Sequence, residues 1–539
     1  MFLTGMAEIS EQTQKLIQRY QAWYNSLQKK EGIPVLHVDT VAAKVAAFYE
    51  KMRGIIEWKE EHLLRKAAIE RMLKRRLFLV EEAEEIAGPL VLELIRGGHF
   101  PNDNIEETKV EVVQKVLAKY IFIIKNSSLP KEELKLQLFN WLLGLAACEI
   151  EEALDPPRKE RALMDYMADL VKERIEVKEG AFVIKGISEE EKAKQIYIAV
   201  QKALFKLDSP IISYHLLKFY YYPQWPNLPQ EQLEEVAQNI YLIQNRIEKD
   251  LKHPLSEKFY QICERYNTPY LILGDILREN PTAAKEKLAQ PELLESQIKT
   301  AYGKRLQNSK DKLLRAALYS IISIFVTKIL LALFIEIPFD KYVTGQFSYF
   351  TLGLNVFIPP ILMFLMILTI RPPGAGNIQR VILEVMKIVY QSERKDIYQI
   401  KAPQKRGVIM RSVLFLFYLL SFFISFGFII WALQKLEFGV LSIMIFLIFL
   451  SLVLFVATRI RHRAKELQVE EEKETILTLF FDFLTLPIVR VGKWLSSQWE
   501  RYNVLIVLFN ILIELPFQLF TEFLEQWRYF LKEKKEEIH

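Results

Sequence analysis

Charged residues thin out abruptly near residue 313, and this change constrains the fold more than any other feature of the chain. Before it, the sequence has the charge density of a water-soluble helical protein. After it come four apolar runs, residues 313–337, 349–370, 412–431 and 438–458. A bilayer core of about 30 Å is crossed by roughly 20 helical residues, so each run is long enough to span it. The expected architecture is all-α. A large cytosolic helical domain (1–288) leads through a connecting helix (289–312) into a four-span membrane domain (313–458). A C-terminal segment (459–539) returns to the membrane interface.

Whole-chain averages hide this division, because the apolar half is diluted by the polar one to 51% hydrophobic residues. The net charge of +5 is small for 539 residues and points away from a nucleic-acid partner. Two cysteines, Cys148 and Cys263, precede the spans and read as buried thiols in a reducing compartment. The stretch from Met1 to Glu8 has neither the basic nor the long apolar region of a cleaved leader. The first apolar run is then the first insertion signal.

Loop charge sets the orientation. Lys304, Arg305, Lys310, Lys312 and Arg315 precede the first run, and residues 371–411 hold nine Lys/Arg against three acids. Arg459, Arg461, Arg463 and Lys465 follow the fourth run, whereas the connections at 338–348 and 435–437 carry no basic excess. Basic loops near a membrane stay on the cytoplasmic side. Both termini are thus expected in the cytoplasm of a multi-pass cell-membrane protein.

Within the long internal loop, Ile378, Val381, Ile382, Val385 and Val389 recur at helical spacing, with Arg380, Lys387 and Arg394 among them. Two readings fit this amphipathic helix (377–395): it lies on the bilayer, or it packs on the N-terminal domain. Arg380, Lys387, Arg394, Arg459, Arg461 and Arg463 are the candidate contacts to lipid headgroups. Residues 475–495 and 504–520 are apolar but interrupted by Asp482, Pro487, Arg490, Lys493, Asn510, Glu514 and Pro516. They read as two interfacial or re-entrant helices, or else as a hairpin of two further spans.

The soluble half reads as a series of helices. Residues 41–77 form a long run interrupted only by Gly54, and Ser188 with Glu191 forms a capping box. Residues 175–187, apolar on both sides of Glu179-Gly180, suggest a small hairpin. The basic stretch from Arg65 to Arg76 either touches lipid or makes ion pairs on a solvated helix face.

Residues with chemical potential are few. Lys328 sits too deep in the first span to reach the interface and needs a polar partner. Glu336 is eight residues on, about 12 Å along a regular helix, and is not expected to be that partner. Asn355 and Glu514 are the candidates. Pro359-Pro360 should break the second span, freeing carbonyls near Asn355 and Val356. Such a break builds substrate sites in some transporters and is a packing kink elsewhere. Ile335-Glu-Ile-Pro-Phe339 recurs as Ile513-Glu-Leu-Pro-Phe517, a short match with the weight of chance. Gly374-Ala-Gly376 lacks the context of a nucleotide loop, and no zinc, Walker or nucleophile-elbow motif is present. No catalytic residue, metal site or cofactor is assigned.

The string from Phe48-Tyr-Glu-Lys-Met-Arg53 through Glu60-Glu-His-Leu-Leu-Arg-Lys66 to Glu70-Arg-Met-Leu-Lys-Arg-Arg76 resembles an uncharacterised family of polytopic membrane proteins. That family belongs to small-genome bacteria of the candidate phyla radiation. Val491-Gly-Lys-Trp-Leu-Ser-Ser497 is similar to the same family. The resemblance implies no activity. The expected function is a non-enzymatic membrane scaffold or sensor that presents its helical domain to a cytosolic protein partner or to a second copy. The alternative is an oligomeric channel or transporter whose path runs past Lys328, Asn355, Pro359, Pro360 and Glu514.

Overall fold

Helix starts fall where capping side chains stand. The Ser10 hydroxyl accepts from the Thr13 amide at the head of Glu11–Ser26. Ser188 and Glu191 close a reciprocal capping box at Glu189–Phe205, as the sequence indicates. Asp208 caps Ser209–Leu216, with Pro210 in its first turn. The computed structural model describes residues 7–28, 32–41, 43–48, 61–79, 82–178, 187–345, 348–370, 373–390, 397–401, 407–469, 476–501 and 515–536. It is nearly all helix, and four helices are long and apolar enough to cross a membrane: Pro291–Val343, Tyr349–Leu368, Val408–Lys435 and Val440–Ala464. They are termed spans 1 to 4 below.

The N-terminal helices build two apolar cores. In the first, Glu61–Leu79, Ala83–Arg96, Thr108–Asn126, Lys135–Leu154 and Gln230–Leu251 pack together. The last shows the pattern well: Leu233, Val236, Ala237, Ile240, Ile243 and Ile247 are buried at helical spacing. One buried carboxylate, Glu149, is fully engaged there. It accepts from Lys119 (2.5 Å), the Tyr120 hydroxyl (2.9 Å) and the Trp225 indole (2.9 Å). The second core gathers Glu11–Ser26, Arg158–Arg174, Glu189–Phe205, Ser256–Arg265 and Asn267–Glu279. Both cysteines are buried thiols.

The second core also takes in residues from beyond the first two spans. Pro291–Leu331 is one unbroken helix of 41 residues, about 60 Å long by helical rise. Its early turns bury Leu294, Ile298, Ala301 and Tyr302 in the second core, and its later turns carry the apolar stretch of span 1. The loop helix Ala375–Tyr390 buries Val381, Ile382, Val385, Ile388 and Val389 in the same core. Of the two readings, its apolar face thus packs on the N-terminal domain, leaving Arg380 exposed and Lys387 bonded to Glu384 at 2.9 Å. Arg394 lies outside the described residues.

Of the hairpin expected over 175–187, the first arm is described. Ile175–Lys178 is a strand, but it pairs in parallel with Tyr398–Lys401 from the loop between spans 2 and 3. Residues 179–186, where the hairpin's turn and most of its second arm would fall, lie outside the described residues. Parallel strands require a long crossover, and here it includes spans 1 and 2. In the Arg65–Arg76 stretch one described pair is intrahelical, Lys66 to Glu70 (3.5 Å), and others leave the helix: Arg65 to Asp155 (2.7 Å), Lys66 to Asp208 (2.6 Å), and Arg75 and Arg76 to Glu93 (2.6 and 2.7 Å). Residues 49–60 of the 41–77 run are not described.

Helix Ile476–Arg501 lies along spans 3 and 4. Pro487 has no amide hydrogen, so the Phe483 carbonyl four residues back lacks its usual donor. The Ser421 hydroxyl of span 3 supplies one at 2.5 Å, and Ser425 donates to the Leu484 carbonyl at 2.7 Å. On span 4, Gly492 meets the backbone of Ser451 so closely that an added methyl would overlap the Ser451 carbonyl. The last helix, Leu515–Glu536, returns to the N-terminal region, where Arg528 pairs with Asp39 at 3.0 Å.

Gly492→Ala is expected to push this helix off span 4 and destabilise the detergent-solubilised chain by about 3 kcal/mol. Gly303→Ala, in open helical surface, should be neutral or stabilising by up to about 1 kcal/mol. Thermal unfolding of the two variants side by side checks the contact; equal behaviour would refute it.

Candidate functional site

Span 1 does not end as a regular helix. Around Pro338, which cannot donate to the preceding turn, the chain adopts two wider turns, Ala332–Glu336 and Asp340–Thr344, with i→i+5 bonding. In a uniform α-helix, Glu336 would sit about 80° round from Lys328. The wider turns rotate less per residue and bring the two side chains onto one face. Lys328 Nζ donates to Glu336 Oε1 at 2.8 Å. The expectation that Glu336 is not the partner is therefore corrected. The helix irregularity that overturns it is marked in the sequence only by Pro338.

Asn355 of span 2 completes the group, donating to Glu336 Oε2 at 2.7 Å. Asn355 is thus one step removed from Lys328. Lys328 also stands 5.0 Å from the centre of the Phe449 ring of span 4, over its face. Spans 1, 2 and 4 converge on one charge-balanced cluster, and Lys328, Glu336 and Asn355 have no exposed surface. The Asn355 carbonyl oxygen has no described donor. Pro359 and Pro360 are buried one turn further along, within a single helix, Tyr349–Leu368. Glu514 lies outside the described residues. Sequence reasoning missed Glu336 and Phe449. It also missed Ser421 and Ser425, which the proline rule identifies once span 3 is known to face Pro487.

A second polar group ties the span ends to the N-terminal domain. The Asn377 amide donates to the Tyr302 hydroxyl (2.9 Å) and the Leu467 carbonyl (2.7 Å), and its oxygen accepts from the Val469 amide (2.8 Å). Glu264 accepts from Lys206 (3.0 Å) and Tyr260 (2.5 Å) and meets His462 at 3.5 Å. Burial alone would raise the Glu264 carboxyl, but these bonds outweigh it and hold it at about 2. Among the candidate lipid contacts, Arg459 and Arg461 are exposed and Arg463 is half-buried.

A cavity of about 260 Å³ in the N-terminal domain brings together Cys148, Glu151 and His215. Nucleophilic sulfur chemistry needs a thiolate beside a base. Burial instead pushes the Cys148 thiol well up and holds His215 neutral, down to about 3, with its Nδ1 bonded to Gln201 at 2.5 Å. Burial also raises Glu151 to about 7, against the opposing pull of Arg65. The arrangement suppresses rather than activates a nucleophile. Among the described residues, no His, Cys, Asp and Glu group could hold a metal.

Lys328→Met or Glu336→Gln alone should cost about 3–5 kcal/mol, because each leaves a buried partner unpaired. The double replacement Lys328→Met with Glu336→Met should cost less than either. A thermal-unfolding double-mutant cycle checks this, and additive costs would refute it. For Glu151, the folded chain holds a proton between pH 4.5 and 7 that the unfolded chain has lost. Stability is therefore expected to fall across that window by up to about 3 kcal/mol and then level off. Glu151→Gln should abolish that slope; an unchanged profile in denaturant titrations at several pH values would show that Glu151 is not its source.

Comparison of the chain with protein-family models, with curated proteins and with solved structures finds no match.

Proposed function

We propose that the chain is a non-enzymatic scaffold or sensor of the cell membrane, multi-pass, with both termini in the cytoplasm. It holds a two-core helical domain against the bilayer for a cytosolic protein partner or a second copy of itself. The observation that carries this reading is the closure of the polar cluster in the spans. An intramembrane lysine marks a transport path when it faces water or a substrate. Lys328 instead donates to Glu336 and faces Phe449, and the cluster has no exposed surface and no net charge. It has the properties of a clamp between helices.

The anchorage supports the same reading. Pro291–Leu331 runs unbroken from the N-terminal core into span 1. The 2–3 loop adds a strand and a helix to the N-terminal domain, and the segment after span 4 is tied to Asn377. These contacts favour one side of the membrane for all three segments, in agreement with their basic charge. A domain held at so many points moves little relative to the bilayer, which suits presenting a surface at fixed height.

The test uses full-length protein. In liposomes it should pass no monovalent cation, anion or small solute above the empty-vesicle rate. In native membranes, crosslinking from the N-terminal domain should trap one partner, or a second copy. The Lys328→Met/Glu336→Met variant should trap the same species. A flux that Lys328→Ala changes would replace this reading with the channel or transporter alternative.

A further inference from the structure

Where the cytosolic ends of spans 1 and 4 meet the N-terminal domain, the structure holds a cavity of about 510 Å³. This is within the usual range for small-molecule sites. Six cationic and three acidic side chains line it. Each of the three acids already has a cation: Asp275 is held by Arg305 through two bonds (2.8 and 3.1 Å), Glu279 by Lys304 (2.7 Å) and Glu466 by Lys206 (3.8 Å). Arg278 and Lys312 pair with no carboxylate among the described residues. The cavity therefore has a cationic surplus with no internal counterion.

The wall has both characters. Arg278, Lys312, Asn308 and Ser309 are polar, while Leu204, Phe205, Leu271 and Leu467 are apolar, as are Leu313, Ala316 and Ile460 at the ends of spans 1 and 4. A small soluble anion has no use for that apolar wall. An amphiphile fits both parts, with its phosphate at the guanidinium and ammonium groups and its glycerol and first acyl carbons against the span ends.

We propose that this cavity is a binding site for one anionic phospholipid. The shared chemistry is a phosphate ester, and the apolar wall selects the lipid over a soluble ester. The site is independent of the scaffold reading, since a conducting protein with this junction would hold the same lipid. It would tie lipid composition to the helix Pro291–Leu331, which contributes Asn308, Ser309, Lys312, Leu313 and Ala316 to the wall.

The test is native mass spectrometry of the full-length protein released from detergent after exposure to equimolar phosphatidylglycerol and phosphatidylcholine, with glycerol 3-phosphate in a parallel arm. One phosphatidylglycerol should be retained in at least tenfold preference over phosphatidylcholine. The variant Arg278→Gln/Lys312→Gln, in exposed side chains, should lose most of that preference while keeping the parent's unfolding temperature. Lys15→Gln, at an exposed lysine paired with Glu11 and outside the cavity lining, should leave the preference intact. Equal retention of the two lipids would overturn the proposal, as would a preference unchanged in the double variant. Saturable competition by millimolar glycerol 3-phosphate would assign the cavity to a soluble phosphate ester instead.

Discussion

Spans 2 and 4 both pack on one rod, the unbroken helix Pro291–Leu331. Its first turns are locked by Leu294, Ile298 and Tyr302 in a packed core, and its far end carries Lys328. A straight helix transmits rotation as well as height. Once Tyr302 is fixed, the face on which Lys328 emerges 26 residues later is fixed too, about 39 Å away. Glu336 and Asn355 have to be built to meet it there. The wide turns around Pro338 bring Glu336 round to that face.

The architecture was legible in the sequence wherever one physical rule acted locally. Spans follow from apolar length, the capping box from Ser188 and Glu191, and helix faces from spacing such as Leu233, Val236, Ile240 and Ile247. What stayed hidden were pairings set by tertiary geometry. Ile175–Lys178 has a strand's composition, but its partner lies beyond two spans, at Tyr398–Lys401. No local pattern reports such a partner. The loop helix shows its apolar stripe equally to a bilayer or to a protein core, and hydrophobicity alone does not separate the two. Glu336 was misjudged because ideal helical rise was applied across a segment that Pro338 had made irregular.

Proline is the common thread in these local departures. Pro487 strips the Phe483 carbonyl of its donor, and Ser421 restores one from a neighbouring span. A buried carbonyl left without a donor is costly, so a freed carbonyl and a hydroxyl on the facing helix attract each other strongly. Ser421 and Ser425 therefore set the register of Ile476–Arg501 on span 3, and the close approach at Gly492 sets it on span 4. A helix with Asp482, Arg490 and Lys493 is too polar to be recognised as a span by hydropathy. Its place among the spans is specified by these point contacts instead of by bulk apolarity.

The same reasoning explains why a charged pair sits among the spans at all. A buried ion pair adds little stability over well-packed apolar residues of the same size, because desolvation consumes most of the Coulomb gain. Its effect is on the alternatives. Turn span 1 about its axis, and the Lys328–Glu336 pair, which lies within that span, turns with it and loses Asn355 of span 2 and the Phe449 ring of span 4. Apolar side chains on spans penalise such a rotation weakly, since lipid and protein are nearly equivalent surroundings for them. The pair penalises it heavily. Because span 1 is continuous with the rod, a fixed rotation of the span is a fixed rotation of the N-terminal domain about the same axis. The cluster of Lys328, Glu336 and Asn355 thus acts on the orientation of a domain tens of ångströms away, and it does so by making every other orientation strip the charged pair of Asn355 and Phe449.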